Sequence, residues 1–281
     1  MQIPIERRSG ANFPIEEIKV RIEAAREAIK RTRLVFLTSS VASLAVILVA
    51  WNAYFSWYRS FALEDKLPEN AVTREAHLEL MKLWVDSHFI SIPLLGIRAG
   101  VSDMALIGAI TLLILALWFF LAMRRENHAI GTLLRDTQQE NPIARRMIFH
   151  GIVSYLVFIT VTQGDHPIRT LKGEEAREPI KFVRPIVSVL TFLPAIATLT
   201  IILMDIFSVV FLSAPFRYPH APLLTSLNAR AWTQAAVMEG AALVLGTLTS
   251  VLCLQANRFS DATGDILREY EAIVLSPEKK N

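Results

Sequence analysis

"MALIGAITLLILALWFFLAM", Met104–Met123, runs for 20 residues without a charge. An α-helix rises ~1.5 Å per residue, so about 20 apolar residues are what it needs to cross a hydrocarbon layer ~30 Å thick. The flanks agree: Ser102-Asp103 offers an N-cap, and Arg124-Arg125 closes the run with cations. Three further runs share this character. Leu34–Tyr58 has 25 residues and no charge, Pro185–Phe216 has 32 interrupted only by Asp205, and Ala231–Asn257 has 27 interrupted only by Glu239. The expected fold is therefore an all-α membrane protein. Four transmembrane helices, at 34–58, 104–123, 185–213 and 231–257, carry cytoplasmic helical extensions and a small extracytoplasmic cap.

Composition points the same way. Of the 281 residues 53% are hydrophobic and 20% charged, whereas soluble domains sit nearer ~45–50% and ~25%. The charges vacate long runs and crowd the gaps between them. The first run follows 33 residues of charged sequence and exceeds the h-region of a signal peptide, so it reads as a retained anchor. The single cysteine, Cys253, lies in an apolar run; an intramolecular disulfide is impossible, and a small packing residue is the natural reading.

Lysine and arginine placement sets the orientation. Segments 1–33, 124–184 and 258–281 together hold 22 of these residues, against 7 in 59–103 and 214–230. The basic side is expected to be the cytoplasm, with both termini inside. Trp57, Tyr58 and Trp232 suit the outer interface. The stretch "PLLGIRAGVSD", Pro93–Asp103, with "WFFLAMRRENHAIGTLL", Trp118–Leu134, resembles bacterial inner-membrane proteins without an assigned function. That resemblance implies a bacterial inner membrane and no site residues.

Outside the spans, Ile15, Ile18, Ile22, Ala25 and Ile29 recur at 3-4-3-4 spacing and predict a helix in 1–33 that continues into the first span. Its apolar seam fits either packing on its own protein or self-association. The cap, 59–103, is expected to hold a helix over Thr73–Val85 and short strands or an extended hairpin over "FISIPLLGIRAGV". The apolar "MIFHGIVSYLVFITVT", Met147–Thr162, is read as part of a basic amphipathic helix near 142–160, lying on the bilayer or on the other helices. Asn141-Pro142 signals its start. Ile143, Met147, Ile148, Ile152, Tyr155, Leu156 and Ile159 are assigned to its apolar face, with a strand or a fifth span as alternatives. The chain after 257 should continue as a helix beside the extension of the second span.

Asp205 and Glu239 are the candidate functional residues, because a charge in the hydrocarbon costs several kcal/mol. Asp205 lies 20 residues after Pro185 and Glu239 lies 18 before Asn257, which puts both about 27–30 Å from the inner edge of antiparallel helices. They are expected at nearly one level, either as separate polar residues at the outer rim or as a facing pair binding a proton or a cation. Small residues on the fourth span (Ala236, Gly240, Ala242, Gly246, Ser250) and on the second (Ala105, Gly108, Ala109) favour close helix packing.

No HExxH, GxSxG, Walker A, GxGxxG or paired CxxC occurs. Glu75, His77, Glu79, Asp86 and His88 imitate a metal cluster, but His77 would face away from its neighbours. The cations anchor spans and do not alternate with exposed aromatics, which argues against nucleic acid. Neither a cofactor nor a catalytic residue is expected, and enzymatic activity is the less favoured reading. The partners expected are the lipid bilayer and a second copy or another membrane protein. The leading function is a non-enzymatic assembly or interaction protein working as an oligomer. The alternatives are an ion- or proton-conducting oligomer using Asp205 and Glu239, and a membrane enzyme without a recognisable motif.

Overall fold

The computed structural model describes residues 15–64, 90–92, 97–99, 104–156, 183–207 and 229–275. It holds six helices: α1 (Ile15–Glu64), α2 (Met104–Asp136), α3 (Pro142–Val153), α4 (Val183–Thr191), α5 (Leu193–Phe207) and α6 (Ala229–Leu275). Two three-residue strands, β1 (Ile90–Ile92) and β2 (Ile97–Ala99), pair antiparallel with Ile90 opposite Ala99 and Ile92 opposite Ile97, as the expected hairpin requires. The helix expected over Thr73–Val85 and the loops around Asp165-His166 and Leu171–Pro179 lie outside the described residues.

α1, α2 and α6 have 50, 33 and 47 residues, or about 75, 50 and 70 Å. Each outruns a ~30 Å hydrocarbon layer, so each apolar run continues without a break into a polar extension. These three helices are long and apolar enough to cross a membrane, and α4 with α5 makes a fourth candidate if the bent pair is one span.

That bend corrects the single straight helix expected over 185–213. α4 and α5 are bent by 55° at Phe192. The cause is Pro194, which has no N–H to continue the ladder and whose ring crowds the preceding turn. The chain restarts at once: Ile196 N donates to Phe192 O at 2.9 Å, and the Thr198 hydroxyl takes up the Pro194 carbonyl at 2.8 Å.

The chain forms two compact units. The extension unit comprises Met1–Leu37, Trp118–Thr191 and Leu254–Asn281. Its core joins Ala25 and Ile29 of α1, Ile130, Leu133 and Leu134 of α2, Ile148, Phe149 and Ile152 of α3, and Leu267, Tyr270 and Val274 of α6. Ile18 and Ile22 pack against that cluster, so the 3-4 seam of α1 is covered by the chain's own helices. The Tyr270 hydroxyl lies 3.1 Å from Thr137 Oγ1 inside the core, and Arg21 ties α1 to α2 through Asp136 at 2.6 Å.

α3 begins as expected, with the Asn141 side chain accepting from Ile143 N at 3.1 Å and Pro142 in the first turn. It ends at Val153, and its 12 residues are too short to span. Its inward face is Ile148, Phe149 and Ile152, while Ile143 and Met147 point outward, 70% and 67% exposed. The face assigned from sequence was therefore rotated: Phe149, left out of it, takes the core position and stacks on Tyr270.

The span unit comprises Thr38–Leu117 and Phe192–Cys253. Two small clusters centre on Leu112, Ala197 and Ile201, and on Ala116, Ala195 and Cys253. While Ser39 Oγ and Ser40 Oγ are buried without a partner among the described residues, seven of its hydroxyls turn back on their own helices: Ser43, Thr111, Thr198, Thr200, Thr247, Thr249 and Ser250 each donate to the carbonyl four residues earlier, at 2.7–2.9 Å. This is how a polar side chain is satisfied where no water reaches it.

Candidate functional site

α5 and α6 approach closely in the span unit. A Cβ added to Gly246 would stand 3.2 Å from Ile202 Cδ1 and 3.4 Å from Thr198 Cγ2. Two helical turns on, one heptad along each chain in opposite directions, lie Asp205 (seven after Thr198) and Glu239 (seven before Gly246). Positions seven apart share a helix face, so the tight Gly246 crossing and the two acids lie in one register. The two side chains meet: Glu239 hydrogen-bonds Asp205. Glu239 is half-buried, and its Oε2 is shielded from solvent with no hydrogen-bond partner among the described residues. A hydrogen bond between two carboxyl groups requires a proton on one of them. Two adjacent carboxyl groups are able to hold one proton between them, or a cation. The structure thus brings both residues singled out from sequence into direct contact.

A second polar site was not foreseen. Glu126 of α2, three residues beyond Met123, is only 6% exposed. It lines a cavity of ≈ 40 Å³ in the extension unit with Thr32, Arg33, Phe36, Phe119, Thr191 and Ser260 among its neighbours, room for one or two water molecules. Burial pushes its carboxyl up to about 7, against the opposing pull of the Thr32 hydroxyl and the Arg33 charge. No direct ion pair joins Arg33 to Glu126 among the described residues, and Arg33 Nε is buried without a partner. In the sequence Glu126 sits in "RREN" and reads as a solvated end of a helix. Its surroundings come from α1, α4 and α6 as well as α2, and the only local hint is its place one helical turn after Met123.

Among the described residues no group of three or more His, Cys, Asp or Glu side chains is arranged to hold a metal; the histidine–acid stretch Glu75–His88 lies outside them. Cys253 is fully buried beside Ala116 and Ala195, a packing position.

The class these helices define is that of helical membrane proteins with several candidate spans. No protein-family model, curated protein or solved structure matches the chain, so that class rests on the helices themselves.

Proposed function

We propose that this chain is a multi-pass membrane protein of the bacterial inner membrane that takes up a proton or a cation at Asp205 and Glu239 and works as an oligomer. The observation that supports this reading is the approach of the two carboxyl groups on adjacent helices. In lipid such groups persist only when paired or functional. The lysine and arginine bias supports an orientation with the extension unit and both termini in the cytoplasm. Four spans enclose little space for a path, which is why the reading includes further subunits.

The test is flux into liposomes holding purified protein and a pH-sensitive dye. Proton or cation flux in the wild type, lost in both Asp205→Asn and Glu239→Gln, supports the reading. Absent flux, or flux that both variants leave unchanged, ends it.

A second reading, an assembly or interaction protein that conducts nothing, has its own observation. Ala236 and Gly240 are exposed on α6, and a Cβ on Gly240 would meet nothing within 4 Å, an open small-residue face of the kind that helices use to approach one another. The N-terminal seam gives that reading no support, being covered within the chain. A strictly monomeric mass in native mass spectrometry removes it.

A further inference from the structure

Where the apolar run of α2 ends, an open groove of ≈ 360 Å³ lies between α2 and α6, lined by Leu121, Arg124, Arg125, Asn127, His128 and Phe259. We propose that this groove binds the headgroup of an anionic phospholipid, with the acyl chains running along the adjoining apolar surface of α2.

Charge and position carry the argument. Arg124, Arg125 and His128 are all exposed, and among the described residues none has an ion pair. Arg124 and His128 are four apart and share a face, and Arg125 lines the same groove. The two arginines follow Met123 directly, so they stand where the apolar run gives way to polar chain, at headgroup depth. Leu121, 48% exposed, lies on the span side of them.

The rest of the groove is held in place. Asn127 Nδ2 donates to Thr263 Oγ1 at 2.9 Å and to Phe259 O at 3.5 Å, and the Phe259 ring packs against Phe120 at 5.9 Å. The volume falls near the lower end of small-molecule sites, ~300–1,000 Å³, a size for a headgroup rather than a whole lipid. A phosphodiester supplies the negative charge and acceptor oxygens that guanidinium groups bind in forked pairs, and basic pockets between helices at this depth suit anionic lipid.

The inference rests on the membrane reading and not on the Asp205–Glu239 proposal. A chain that does not insert fails at reconstitution, before any lipids are compared. The experiment is native mass spectrometry of the full chain from micelles doped equally with phosphatidylglycerol and phosphatidylcholine. Retention of phosphatidylglycerol over phosphatidylcholine by roughly thirtyfold is expected, about fivefold for each arginine at the site. The ratio should fall towards one in R124Q/R125Q and stay at the wild-type value in K19Q/R31Q, which loses the same charge from exposed positions on α1. Unchanged helical circular dichroism qualifies each variant.

Equal retention of the two lipids by the wild type, or an unchanged ratio in R124Q/R125Q, overturns the proposal. So does an equal loss in K19Q/R31Q, which would mean attraction by net charge alone. Displacement of phosphatidylglycerol by millimolar inorganic phosphate would reassign the groove to free phosphate.

Discussion

The two units of this molecule sort the same residues in opposite directions. In the extension unit, Ile130, Leu133, Leu134, Ile148, Ile152 and Leu267 are each at most 2% exposed, the arrangement that water imposes on large apolar side chains. In the span unit much of the interior is small: Ser43, Ala109, Ala116, Ala195, Ala197, Ala242 and Cys253 are buried, while Leu44, Leu48, Ile114, Leu203 and Val244 face outward. Among the described residues, the only exposed large apolar side chains outside the four spans expected from sequence are Val20, Ile143 and Met147. Lipid does not drive large side chains inward, so close packing selects small residues for the interior and leaves the large ones to meet acyl chains. The difference accords with the helices of the span unit being long and apolar enough to cross a membrane.

The comparison breaks most visibly under truncation. Leu267→Ala, in the extension core, is expected to lower unfolding free energy by about 2–5 kcal/mol through the lost burial and the cavity left behind. Leu48→Ala removes the same atoms from a side chain 66% exposed and should change it by less than about 1 kcal/mol. Chemical denaturation in detergent micelles measures both, and equal losses would mean that the two units share one solvent.

A charge provides the complementary test. Leu48 and Val20 are exposed to nearly the same degree, 66% and 68%, on the same helix α1. Leu48→Arg should raise the apparent free energy of membrane insertion by about 2.5–3.5 kcal/mol, read from a glycosylation reporter, whereas Val20→Arg should leave it unchanged. An unaffected Leu48→Arg would remove the first span.

Glu126 tests the extension unit alone. Its carboxyl is raised from 4.5 to about 7, so between those values the folded chain holds a proton that the unfolded chain has released. Stability must therefore fall as pH rises through that window and level off above it. At ~1.4 kcal/mol per pH unit, the whole drop is about 3 kcal/mol. Thr32, Arg33, Thr191 and Ser260 are the polar neighbours in its cavity, and the Arg33 charge already counts in the value. Glu126→Gln should flatten the profile and leave the variant more stable than wild type at pH 8. A flat wild-type profile between pH 5 and 7 would mean that Glu126 is solvated.

What the sequence made legible follows from the range of the forces involved. The spans were legible because hydropathy is a property of a run: Met104–Met123 needs no partner to be insoluble in water. The level of Asp205 with Glu239 was argued from their distances along two sequential antiparallel spans, an argument that needs only the rise of a helix. The bend at Phe192 had a visible cause in Pro194, yet the long apolar run concealed it, since lipid solubility does not depend on straightness. The face of α3 was misread because Ile143, Met147 and Phe149 are alike in hydropathy and only α1, α2 and α6 decide which of them turns inward. Glu126 was illegible for the same reason. Its surroundings are supplied from α1, α4 and α6, and nothing in "RREN" records them.

The smallest effect discriminates most finely between the two functional readings. Gly240 and Gly246 lie on one helix, six residues apart. Gly246→Ala must push Ile202 Cδ1 aside from 3.2 Å, and crowding of that kind costs about 1 kcal/mol or more, which offsets the gain in helix propensity. Gly240→Ala meets nothing within 4 Å in a single chain, so propensity alone should stabilise it by up to about 1 kcal/mol. Thermal unfolding of the two variants in detergent, run beside native mass spectrometry, separates the cases. If Gly240→Ala gains stability at unchanged mass, that face meets lipid and the assembly reading loses its remaining observation. If it loses stability and dissociates into monomers, a second copy lies against Gly240, and the face that is open in one chain is closed in the membrane.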